Sequence, residues 1–85
     1  MARITLYTRK DCPLCDEAAE LLRQLAPEFG LEMDEVDIES DAALLDRYKE
    51  SIPALALDGE PLLSAPLAPQ RVRMVLMRRL RGRFF

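Results

Sequence analysis

Residues 4–15 constrain this 85-residue chain more than any other stretch. An apolar run, Ile4 to Tyr7, breaks off into the short charged loop Thr8-Arg9-Lys10-Asp11, and the loop opens directly into a helical pattern. The first turn of that helix carries both cysteines of the protein, Cys12 and Cys15. The only thiols therefore sit at a strand-to-helix junction.

Sulfur chemistry needs thiolate, and a free cysteine, with a pKa of about 8.5, is mostly protonated at neutral pH. Unpaired N–H groups and the dipole give a helix N-terminus partial positive charge, which favours an anion there. Cys12 is expected at the N-cap, with Pro13 at the first helical position, where a missing N–H costs nothing. Arg9 and Lys10 add positive charge nearby, and Asp11 opposes them. Cys15 lies almost one turn into the helix, on the same side as Cys12 and within reach for a disulfide. The pair can cycle between dithiol and disulfide.

Other readings of a C-x-x-C exist. Half of a zinc site is one, but zinc takes four Cys, His or acidic ligands, and the chain has no histidine and no third cysteine. Two inert cysteines, one a cap and one in the core, are another, since free Cys is commonly buried. An iron–sulfur cluster shared between two chains would need only the thiols. The strand-loop-helix context favours the redox reading.

A chain this short makes one domain with a core only just sufficient, and two cysteines are too few for a stapled secreted scaffold. No apolar stretch approaches a membrane span, and Arg3 leads straight into a strand, so the expectation is a cytoplasmic monomer without a membrane partner. The net charge of −3 conceals a polarity: residues 11–60 hold all 15 acids against Arg23, Arg47 and Lys49, whereas residues 61–85 hold arginines and no acid. A basic end can mark an electrostatic patch for an acidic partner or nucleic acid. The plainer reading, a solvated helix face, is preferred, because Phe84 and Phe85 lie at the terminus and form no stacking platform for nucleic acid.

Arg3 to Tyr7 reads as a strand. Residues 13–26 read as a helix with Leu14, Ala18, Leu21, Leu22 and Leu25 inward, stopped by Pro27 and Gly30. Leu31 to Ile38 follows as a strand with an irregular start, and strand, helix, strand at these lengths predicts a right-handed βαβ unit with parallel neighbours. Asp41 to Glu50 gives a short helix with Leu44, Leu45 and Tyr48 as its buried side and Ser40 or Asp41 as cap. Ser51-Ile52-Pro53 breaks it. Ala54 to Leu57 then meets Asp58-Gly59, a type I′ turn signal, and Glu60 to Leu63 returns as a hairpin partner, placed at the sheet edge by Pro61. Pro69 starts a last helix with Val72, Val75, Leu76 and Leu80 inward, Met74 and Met77 on its flank, and Gly82 at its end.

The order βαβαββα, with cysteines after the first strand, resembles a thioredoxin-like fold, and at this length it resembles a glutaredoxin. Tyr7 to Cys15 is similar to that family's strand-loop-C-P-x-C stretch, and Ser51-Ile52-Pro53 is similar to its Thr-Val-Pro. The resemblance implies an α/β fold with a four-stranded mixed sheet and helices on both faces. It also implies a cis-proline at Pro53 beside the cysteines, with the Ile52 backbone free to pair with substrate as an added strand. Cys12 would be the nucleophile and Cys15 the resolving thiol, with Arg9, Lys10, Pro13, Leu14, Ile52 and Pro53 contacting substrate. No metal and no tightly held cofactor are implied.

Glutathione-using relatives bind the tripeptide with a basic residue three before the first cysteine, with the Thr-Val-Pro backbone, and with a Gly-Gly-Cys-Asp-type loop after the last strand. Arg9 fills the first role and Ile52 the second, but the glycine positions hold Leu63 and Ser64, followed by Ala65-Pro66-Leu67. Leu63 puts a side chain where backbone should approach a ligand, and Pro66 removes a donor. Each charge-assisted hydrogen bond contributes about 1.5–3 kcal/mol, so losing two weakens binding about a hundredfold or more. The expected activity is dithiol-disulfide exchange on a protein or small-molecule disulfide, with weak glutathione affinity and a reductant supplied from outside the chain. The alternative is a non-catalytic binding module of the same fold that uses the arginine-rich last helix.

Overall fold

The structure is a computed structural model that describes residues 2–81. Its elements run β1 (Arg3–Thr8), α1 (Pro13–Glu28), β2 (Glu32–Asp37), a 3-10 turn (Ile38–Ser40), α2 (Ala42–Tyr48), β3 (Ala54–Leu57), β4 (Glu60–Ser64) and α3 (Pro69–Arg81). The sheet order is β2-β1-β3-β4, with β1 and β2 parallel and the remaining pairs antiparallel. Gly82, Phe84 and Phe85, invoked above for the end of the last helix and the terminus, lie outside the described residues.

Side-chain alternation on the central strands sorts the helices. Ile4 and Leu6 of β1 and Leu55 and Leu57 of β3 point to one face, where Ala18, Ala19, Leu22 and Leu25 of α1 and Val72, Leu76 and Leu80 of α3 bury against them. Tyr7 points the other way and stacks on Tyr48 of α2, ring centroids 4.3 Å apart and planes 14° from parallel. Arg47 lies 5.5 Å from the Tyr48 ring centre, over its face. Helices thus cover both faces. The α2 cover is thin: Leu44, Leu45 and Tyr48 face the sheet as expected, but none of α2 is fully buried, and the helix ends at Tyr48 rather than Glu50.

Three local signals play out differently from the sequence expectation. Pro27 does not stop α1, which runs on to Glu28. Proline so near the C-terminus deprives only the Arg23 carbonyl of its helical partner, and the helix instead ends at Gly30, whose φ of +65° turns the chain. There the Leu31 N–H donates to the Ala26 carbonyl at 2.8 Å and the Gly30 N–H to that of Pro27 at 3.2 Å, the paired bonds of a Schellman motif. Leu14 is not inward: it is 62% exposed. Val75 is only partly buried, a flank rather than a centre of the α3 stripe. Elsewhere local chemistry holds. Asp41 caps α2 through the Ala43 N–H at 2.8 Å, and Asp58 and Gly59 both take the positive φ of a type I′ turn, 50° and 85°. β4 is an edge strand, with a register irregularity opposite Leu55 and Ala56.

Candidate active site

The junction between β1 and α1 delivers the sulfur atoms. Asp11 takes φ +57°, a left-handed turn that Asp tolerates better than most residues, and Cys12 then adopts the extended φ and ψ of an N-cap. Its carbonyl accepts from the N–H groups of Cys15 and Asp16 at 3.0 and 3.1 Å, and its Sγ accepts from the Cys15 N–H at 3.2 Å. Pro13 occupies the first helical position. Cys12 and Cys15 are joined as a disulfide with Cα atoms 5.2 Å apart. Their exposure differs sharply: Cys15 is 2% exposed, packed under the helix, while Cys12 is partly open to solvent. A backbone donor aimed at Cys12 Sγ, at the positive end of a helix, favours negative charge on that sulfur once the pair is reduced.

Around the sulfurs, the structure separates the expected contact residues into two groups. Leu14 and Pro53 come together as walls of one groove of about 390 Å³. Glu17, Ala18 and Leu21 of α1 and residues 65–69 ahead of α3 complete it. The Ile52-Pro53 peptide is cis, as is Ala65-Pro66, and the Ala65 N–H donates to the Pro53 carbonyl at 2.9 Å, which ties together the two ends of the β3–β4 hairpin. Among the described residues the Ile52 N–H and C=O have no hydrogen-bond partner. Arg9 turns elsewhere: its guanidinium pairs with Glu39 at 3.2 Å. Lys10 and Pro13 are exposed beside the cap.

Sequence reasoning missed Glu17 and Leu21 as groove residues. With Leu14 and Ala18 they form an i, i+3, i+4, i+7 row; Leu14, Ala18 and Leu21 were read as core, and Glu17, a charged residue within that row, was the overlooked signal. Pro66 was singled out only as a missing donor, and the structure places it in the groove opposite α1. Among the described residues no group of three or more His, Cys, Asp or Glu side chains is placed to hold a metal ion. No helix among them is long and apolar enough to cross a membrane. Two arginines of α3 are engaged in ion pairs, Arg73 with Glu28 at 2.7 Å and Arg79 with Glu60 at 3.8 Å, which link that helix to α1 and β4.

Comparison with known proteins agrees with this geometry. A structural-genomics target protein from X. campestris is 37% identical, with a TM-score of 0.76 over 88% of this chain and 96% of that one. Thioredoxin 1 from Thermosipho africanus shares the fold at 14% identity, with a TM-score of 0.76 over 98% of this chain and 99% of its own. A protein described as a probable thioredoxin from Methanothermobacter marburgensis is 31% identical over 65 residues, 69% of this chain and 73% of the relative. The profile of the glutaredoxin-like domain (DUF836) matches residues 3–77. With that profile spanning nearly all of a thioredoxin-like fold whose cysteine pair caps α1, the chain belongs to the glutaredoxin-like domain family.

Proposed function

We propose that the chain is a dithiol-disulfide oxidoreductase acting in the cytoplasm on disulfides of proteins or small molecules. The observation that carries this reading is the asymmetry of the pair: a partly exposed Cys12 at the helix cap, bridged to a buried Cys15. In the reduced protein the Cys12 thiolate attacks one sulfur of a substrate disulfide, forms a mixed disulfide and expels the first substrate thiolate, which takes a proton from water. Cys15, deprotonated, then attacks Cys12 Sγ and expels the second. Two electrons pass to the substrate and the protein is left as the Cys12–Cys15 disulfide. Burial keeps Cys15 from competing for the first attack, and a low pKa at Cys12 helps both steps by populating the nucleophile and by improving the leaving group.

Arg9, Lys10, Pro13, Leu14, Ile52 and Pro53 are the proposed substrate contacts, with Ile52 offering its main chain and Leu14 and Pro53 an apolar seat. Weak glutathione binding is part of this reading, and it is supported by Pro66, a residue without an N–H, lining the groove. A reductant from outside the chain returns the pair to the dithiol.

The test is alkylation of Cys15→Ser protein by iodoacetamide across pH. An apparent pKa below about 7 is expected, and one near about 8.5 would remove the support that the helix terminus gives. Cys12→Ser is expected to abolish reduction of a disulfide substrate, and Cys15→Ser to trap the mixed disulfide.

A further inference from the structure

Among the described residues, the groove beside the disulfide is lined by one charged side chain. Its walls are Leu14, Ala18 and Leu21, with Pro53 and residues 65–69, and the charge is Glu17. Glu17 is exposed and, among the described residues, has no ion-pair partner. Three positions on along α1, Glu20 pairs with Arg23.

The walls are also poor in donors. Pro53, Pro66 and Pro69 bring no N–H, so a carboxylate lying in the groove would meet few hydrogens and a full negative charge. The start of α3 opposes this with about half a positive charge, but its first N–H is missing at Pro69, so Glu17 dominates.

We infer that Glu17 selects for a positively charged residue in the substrate: an extended polypeptide segment with an apolar side chain beside its cysteine and a Lys or Arg a few residues away. This deepens the oxidoreductase reading and rests on it. The spacing follows from lengths. Cys12 to Glu17 spans about 7.5 Å along a helix, equivalent to about two residues of extended chain, and a Lys or Arg stem extends that reach to about four. An exposed pair of this kind changes an equilibrium about 1.4- to 5-fold, a modest preference that salt should erase.

The experiment uses the reduced full chain and two synthetic peptides identical except for Lys or Glu three residues after a single cysteine, each cysteine carried as a mixed disulfide with neutral pyridine-2-thiol. In each reaction Cys12 attacks the peptide sulfur and releases pyridine-2-thiol, and Cys15 then releases the peptide thiol, so the two electrons come from the protein dithiol alone. Rates of peptide-thiol release are read at low salt and at about 0.5 M salt. The Lys peptide is expected to react about three- to five-fold faster than the Glu peptide at low salt, with the gap closing at high salt. Glu17→Gln should remove the preference and Glu17→Lys should reverse it, while circular dichroism checks that both variants fold. Equal rates in the unmodified protein, or a gap that survives Glu17→Lys, would overturn the inference and leave the oxidoreductase reading standing. Release of no peptide thiol from either would overturn both.

Discussion

Glu39 holds the guanidinium of Arg9 at 3.2 Å, which offsets part of the positive charge of the loop ahead of Cys12. Arg9 is three residues before Cys12, and under the proposed function an anionic substrate would meet its full charge once Glu39 were neutral. Glu39→Gln is therefore expected to speed reduction of a glutathione mixed disulfide about two- to five-fold relative to a neutral one, read as the ratio of kcat/KM values. Tyr7 offers a second test. Burial, first, and then the neighbouring Tyr48 push its phenol above the ordinary range, with Arg47 acting in the opposite direction. A folded-state pKa raised in this way gives stability that is present in full below the unfolded value of about 10 and is lost as pH rises through the folded value. Thermal midpoints are expected to fall above about pH 10, with a smaller fall for Tyr7→Phe. The proximity of the two cysteines and the Cys12 cap were legible in the sequence because they obey rules acting within one helical turn. The pairing of Arg9 with Glu39, 30 positions away, was not.

At the scale of single elements, α1 shows where local rules give way. Proline, the stronger breaker by rank, sits inside the helix at Pro27, and the stop falls at Gly30 because a left-handed residue there lets two orphan carbonyls find donors. Gly30→Ala would keep that geometry only by holding a side chain at φ +65°; nothing lies within 4 Å to clash with the added carbon, so the cost is conformational. It is expected to lower unfolding free energy by about 1 kcal/mol in urea titrations, with an unchanged slope. Pro27→Ala should do the reverse, restoring the bond to the Arg23 carbonyl. Leu14 illustrates the limit of periodicity: it belongs to the apolar row by spacing, but it is exposed and lines a groove. A helix's stripe can be read from sequence, whereas the length of core beneath it depends on strands paired from distant positions.

For the whole molecule, the two layers of cover are unequal. α1 and α3 enclose the main core, while on the opposite face α2 contributes the Tyr48 ring that stacks on Tyr7 and no fully buried residue. Leu76, with no exposed surface, joins α3 to the centre of that core, and Leu76→Ala is expected to cost about 2–5 kcal/mol, a large share of the stability of so small a domain. Circular dichroism on heating should show it melting far below the parent protein. Arg73→Ala, which removes the exposed pair with Glu28, should cost no more than about 1 kcal/mol. The element order was legible throughout, since each strand and helix is bounded by its own punctuation; the thinness of the α2 side was not. The outer strands have a further consequence. β2 lines one edge with Glu32, Asp34, Glu35 and Asp37, and β4 sets Pro61 and a break in register at the other. Charged side chains, Glu32, Asp34 and Glu35 paired with Arg3 or Arg23, crowd the first edge, and a missing donor with an irregular backbone spoils the fit of a second sheet at the other. Neither edge is thus an open template for a second copy, which disfavours edge-to-edge stacking of the sheet with its own copies.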